Sequence, residues 1–83
     1  MNKQEFWEFM IDKFAEHQKM LGYKDSTIRT RVRALKRLLR EFGDLSNVDE
    51  NMIWQRYANK SKHLRKSMQQ SLRIFKEWLN GGY

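Results

Sequence analysis

Apolar residues recur along this chain at three- and four-residue intervals, the spacing that lines up side chains on one helix face. Over about residues 3–21 a step of about 100° per residue gathers Phe6, Trp7, Met10, Ile11, Phe14 and Leu21 on one broad arc. Glu5, Glu8, Asp12 and Glu16 gather on the opposite side, and Gly22 suits the left-handed residue that ends such a helix. A second helix starts at Asp25 or Ser26, either of which can cap its open N–H groups, and runs to Phe42 before Gly43. Ile28, Val32, Leu35, Leu38, Leu39 and Phe42 form its inner face.

The pattern predicts two further helices. Asp49 is placed to cap a short one over about residues 50–59, with Val48 before the cap and Ile53 one turn in as a hydrophobic staple. Ile53, Trp54, Tyr57 and Ala58 make up its buried side. After the polar loop Asn59-Lys60-Ser61, a fourth helix over about residues 62–80 turns Leu64, Met68, Leu72, Phe75, Trp78 and Leu79 inward. Gly81 and Gly82 stop it. With no internal repeat and short connections, the expectation is an all-α, compact four-helix bundle forming one domain over residues 1–83.

Composition narrows the classes. There is no Pro and little Gly, which favours uninterrupted helices over strands and turns. There is no Cys, so disulfides and thiolate metal sites are excluded. No apolar run approaches the roughly 18 residues a membrane span requires. The start, with Glu5 and Glu8, lacks the apolar stretch of a secretion signal, so a cytoplasmic location is expected. His17 and His63 lack the partners for a metal site and read as surface or boundary residues. No cofactor, metal or small-molecule substrate is indicated, and no arrangement for nucleophilic catalysis can be assembled.

Charge is the informative property. The net charge of +7 is unevenly distributed. Residues 1–22 hold Lys3, Lys13 and Lys19 against Glu5, Glu8, Asp12 and Glu16, whereas residues 23–83 carry 14 basic and 6 acidic side chains. That asymmetry points to a polyanionic partner for the basic part. On the second helix Arg29, Arg33, Lys36 and Arg40 follow one outer stripe with Arg37 beside them. On the fourth, Lys62, Arg65, Lys66, Gln69, Arg73 and Lys76 form another. Cations packed this closely repel one another, and a phosphate backbone relieves that repulsion. Arginine suits bidentate contact with guanine or phosphate, which puts Arg29, Arg33 and Arg40 first. Gln69 either reads an adenine edge or serves as an ordinary helix former. Phe14, Phe42, Phe75 and Trp78 fall on apolar stripes, and Trp54 and Tyr57 are also assigned to the core, which leaves few aromatic platforms for single strands or RNA. Phe9 and Met20, at the edge of the first helix's arc, are either partly buried or part of a protein contact.

The run Leu21-Gly22-Tyr23-Lys24-Asp25-Ser26-Thr27-Ile28, then Leu35-Lys36-Arg37-Leu38-Leu39-Arg40-Glu41-Phe42, resembles the core-binding domain of tyrosine recombinases, the phage integrases. Asp44-Leu45, Val48-Asp49 and Ile53 resemble that family's entry into its third helix, and Leu72-Arg73-Ile74-Phe75-Lys76-Glu77-Trp78-Leu79 its closing signature. The likeness spans about residues 5–80. Three positions depart from it: Lys24 replaces the usual turn Ser, Leu64 an opening Thr, and Gln69 a common Leu. The resemblance implies a SAM-like fold whose second and fourth helices lie against DNA. It also implies a role in DNA integration or recombination within a mobile element, with double-stranded DNA as partner and other recombinase protomers meeting the first helix.

The family's catalytic Arg, Lys, His and Tyr set belongs to a further domain for which 83 residues leave no room. Tyr23, Tyr57 and Tyr83 lack the Arg/His surroundings of its nucleophile, so a non-enzymatic DNA-binding domain is expected. With about six phosphate contacts, log affinity would fall against log salt with a slope near −5. The main rival is a helical protein-interaction or regulatory module of a mobile element that does not touch DNA, with the acidic stripe or Phe9 and Met20 as its contact. RNA binding is a second rival.

Overall fold

A computed structural model describes residues 1–81; Gly82 and Tyr83, the former expected to help stop the last helix, lie outside the described residues. The chain forms α1 (Lys3–Met20), α2 (Asp25–Phe42), a 3₁₀ turn (Leu45–Asn47), α3 (Glu50–Arg56) and α4 (Lys62–Leu79). No strand occurs among the described residues, and the all-α four-helix bundle follows the periodicity.

Local chemistry sets most of the boundaries. Asn2 caps α1 by accepting from the Glu5 N–H at 2.8 Å, and Glu5 reaches back to the Asn2 N–H at 3.3 Å. This reciprocal box satisfies two open donors, and the Asn-x-x-Glu spacing that encodes it was legible but unread. At the other end Gly22 has φ +88°, the Gly22 N–H donates to Lys19 O at 3.0 Å, and the Tyr23 N–H donates to Gln18 O at 3.2 Å. Only glycine enters that left-handed conformation without steric cost, so the helix closes there in a Schellman turn. Gly43 ends α2 by the simpler left-handed stop, with φ +77° and a single bond from its N–H to Leu39 O at 2.7 Å.

The start of α2 differs from expectation. Its N-cap is Lys24, with no side-chain cap, and Asp25 is already the first helical residue. One residue inside the helix, the carboxylate complements the positive end of the macrodipole rather than capping it. Asp49 does cap α3, accepting from the Met52 N–H at 2.8 Å, and Ser61 caps α4 through Leu64 N–H at 3.2 Å. The staple residues Val48 and Ile53 are both fully buried.

One core joins the four helices: Trp7, Ile11 and Phe14 from α1, Leu35, Leu38 and Leu39 from α2, Ile53 from α3, and Met68, Leu72 and Phe75 from α4. Leu45 and Val48 join it from the connection between α2 and α3. Large rings set the separation of α1 and α4: Phe14 meets Phe75 edge-on at 5.3 Å and Trp78 at 5.6 Å, and Trp7 meets Phe75 at 6.1 Å. Burying each such ring or leucine stabilises the fold by about 1.5–3 kcal/mol before entropy is counted. A polar tie closes the same end, where Trp7 Nε1 donates to Asp44 Oδ1 at 3.1 Å and Lys3 pairs with Asp44 at 3.3 Å.

Four expected core residues are corrected. Phe6 is 43% exposed, Leu21 55% and Trp54 46%, and Ala58 is exposed. Phe6 lies at the edge of an arc wider than its neighbours cover, packed edge-on against Trp7 at 5.1 Å. Leu21 sits past the last turn of α1, where the chain leaves the bundle. The short α3 ends at Arg56 rather than about residue 59, so Ala58 lies beyond it. Two turns commit only Ile53 to the core and leave Trp54 outside, although Tyr57, at the C-cap, is buried as expected. Ile28 is only half-buried. Phe9 and Met20 are exposed, His17 is half-buried beside Trp78, and His63 is exposed.

Candidate nucleic-acid interface

The outer face of α2 is set by the residues that anchor the helix. With Leu35, Leu38 and Leu39 locked in the core, a 100° step turns Arg29, Arg33, Lys36 and Arg40 to solvent, and all four are exposed. Arg37 is half-buried, its guanidinium 5.1 Å from the centre of the Tyr57 ring. Together with Val32 and Glu41 these five cations line an open surface groove of about 550 Å³.

The ion pairs of the described residues all lie elsewhere: Lys3–Asp44, Lys13–Glu16, Arg56–Glu41 and Arg73–Glu50. None of Lys24, Arg29, Arg31, Arg33, Lys36, Arg37 or Arg40 is neutralised by a carboxylate among the described residues. Glu41, the acid nearest the stripe, is committed to Arg56 at 3.0 Å. Arg31 alone turns inward: it donates to the buried Gln18 side chain and stacks 4.5 Å from the Tyr23 ring. Periodicity places Arg31 on the core side of α2, the signal by which its structural role could have been recognised.

The stripe on α4 is a different matter. Four of its six residues find partners within the fold, because α3 and its flanking loops lie against that side of α4. Arg65 donates to the carbonyls of Tyr57 at 3.3 Å, Ala58 at 3.0 Å and Lys60 at 2.8 Å, binding up the chain end of α3. Gln69 donates to the Glu50 carbonyl at 2.9 Å and so is not presented to a base edge. Arg73 grips the Glu50 carboxylate with two bonds, 3.2 and 2.6 Å, and holds its pKa below the ordinary glutamate value. Lys76 donates to the Val48 carbonyl. Of the expected set, Lys62 and Lys66 remain exposed with no ion pair among the described residues.

Arg33 and Arg37 reach α4 across a cleft of about 170 Å³ that they line with Thr30 and Ala34 on one side and Leu64, Ser67 and Met68 on the other. The α4 residues that meet the basic helix there are Leu64, Ser67 and Met68, while Lys62 and Lys66 stand exposed elsewhere on the first two turns of α4. Such a surface can neutralise phosphates through point charges and hold them bidentately through arginine. No group of three or more His, Cys, Asp or Glu able to hold a metal occurs among the described residues. No described helix is long and apolar enough to cross a membrane.

No family model, curated protein or solved structure matches this chain.

Proposed function

We propose that this protein is a non-enzymatic duplex-DNA-binding domain that grips the phosphate backbone with the outer face of α2. The observation that carries the reading is the uncompensated charge of that face. Arg29, Arg33, Lys36, Arg37 and Arg40 crowd one side of an 18-residue helix with no carboxylate partner among the described residues. Stability gains nothing from such crowding, whereas a polyanion relieves it. The order of motifs resembling the tyrosine-recombinase core-binding domain, with its SAM-like fold, favours the same partner. The proposed role is that of a clamp serving DNA integration or site-specific recombination in a mobile element.

The α4 side of the clamp is narrower than the sequence stripe. Lys62 and Lys66 supply the open cations of α4, while Arg65, Gln69, Arg73 and Lys76 hold α3 in place. Titration of duplex DNA across a range of salt concentrations tests the proposal. Five phosphate contacts from α2 give a slope of about −4.5 in log affinity against log salt. Wild-type protein without measurable duplex affinity at low salt would remove the function.

The protein-interaction reading keeps one specific observation. Phe6, Phe9 and Met20 are exposed on α1 beside Glu5, Glu8, Asp12 and Glu16, a surface suited to another protein chain, including a second protomer.

A further inference from the structure

Trp54 is the largest side chain that the fold leaves outside its core, and its surroundings are specific. The residue is 46% exposed, and the Arg65 guanidinium lies 4.2 Å from its ring centroid. That guanidinium is itself held by the carbonyls of Tyr57, Ala58 and Lys60. The stack is therefore pre-organised by the junction between α3 and α4. The turn into α4 and its first two turns carry Lys60, Lys62 and Lys66, all exposed and without an ion pair among the described residues.

A sequence of contacts links this stack to the basic face of α2. Arg37 lies over the Tyr57 ring at 5.1 Å, the Tyr57 carbonyl accepts from Arg65 at 3.3 Å, and Arg65 covers Trp54. A half-exposed indole stacked on an anchored arginine, with unneutralised lysines in the adjoining stretch of chain, matches what single-stranded nucleic acid needs: a surface for an unpaired base and charge for its phosphates. A duplex offers such a ring no base face, since its bases are stacked on one another.

We infer that Trp54, backed by Arg65 and with Lys62 and Lys66 on the adjoining turns of α4, is a stacking platform for an unpaired base of single-stranded DNA. It rests on the nucleic-acid reading of the basic face and adds a second mode to it. Duplex binds through α2, and an opened or frayed strand engages the α3–α4 junction.

The test titrates wild type, Trp54→Ala, Trp54→Phe and the Lys62→Glu/Lys66→Glu double variant with a twelve-nucleotide oligothymidylate and with a duplex, with circular dichroism checking the fold. Wild type should bind the oligothymidylate with quenching of indole emission. Trp54→Ala should bind it about tenfold more weakly. Trp54→Phe, which keeps a ring, should fall between them and lose the quench. Duplex affinity of both Trp54 variants should stay within about twofold of wild type. The lysine double variant should weaken single-strand binding at least as much as Trp54→Ala. Equal oligothymidylate affinity in wild type and folded Trp54→Ala, or none in wild type at low salt, would overturn the platform and leave the α2 clamp standing. Single-strand binding without duplex binding would sustain the platform and remove the clamp.

Discussion

Arg73 closes on Glu50 with two hydrogen bonds, Nε to Oε2 at 3.2 Å and a terminal nitrogen to Oε1 at 2.6 Å. The pair fastens the first turn of α3 to the middle of α4 and engages a cation that the sequence pattern assigns to the DNA-facing set. Both side chains remain about half exposed, so water competes for the interaction. Arg73→Ala is therefore expected to cost no more than about 1 kcal/mol in chemical denaturation. Its duplex affinity and salt slope should match wild type. A slope lower by about one would return Arg73 to the interface.

The α2 stripe should behave in the opposite way. Charge reversal of Arg33→Glu with Arg40→Glu breaks no ion pair among the described residues, so the variant should stay folded. Its duplex affinity should fall at least tenfold, and the salt slope should become shallower by about two. Wild-type affinity in this variant would sink the role given to α2.

Arg65 provides a separate check on the division between binding and structure. Its three carbonyl partners lie in the turn from α3 to α4, which the chain would otherwise have to hold without them. Arg65→Ala is expected to destabilise the fold by about 1–2 kcal/mol, in the range of charged hydrogen bonds that water partly replaces. Arg65→Lys should recover part of the loss, because all three bonds leave one guanidinium nitrogen and an ammonium is likewise a single centre with several protons. Thermal melts of the two variants decide it.

Asp44 predicts an acid limb. The Ser46 N–H at 3.0 Å and Ser46 hydroxyl at 2.7 Å, helped by Lys3, lower its pKa from 3.8 to about 2 against a smaller opposing effect of desolvation. A carboxyl with a lower pKa in the folded state lends stability that is complete above its unfolded value. That contribution is lost as pH falls from about 4 through about 2. Glu50, lowered by Arg73, acts in the same direction. Asp44→Asn should flatten the decline in denaturation midpoint over that interval, and an unchanged acid limb would contradict the assignment.

Much of the architecture was legible because it is local. The Val48–Asp49–Ile53 staple, the Gly22 and Gly43 stops and the leucines of α2 are each decided within a turn or two of the chain. The backbone there has few alternatives. The cationic face of α2 was legible for the same reason, since residues opposite a buried leucine stripe have nowhere to go but solvent.

Which polar residues on α4 are spent, and on what, was beyond that reasoning. Arg65, Gln69, Arg73 and Lys76 share a side of the helix that periodicity can only describe as not apolar. The carbonyls of Val48, Glu50, Tyr57, Ala58 and Lys60 arrive there because α3 and its flanking loops pack against α4. Trp54 escaped for a related reason: two turns are too short to define a face, and only packing decides which of two adjacent aromatic or aliphatic residues goes inside. Sequence alone determined the helices, the glycine stops, the Asp49 cap and one basic stripe, because those follow from bonds near in the chain. The tertiary structure alone decided which cations stay open to a partner, because that depends on what a distant segment covers.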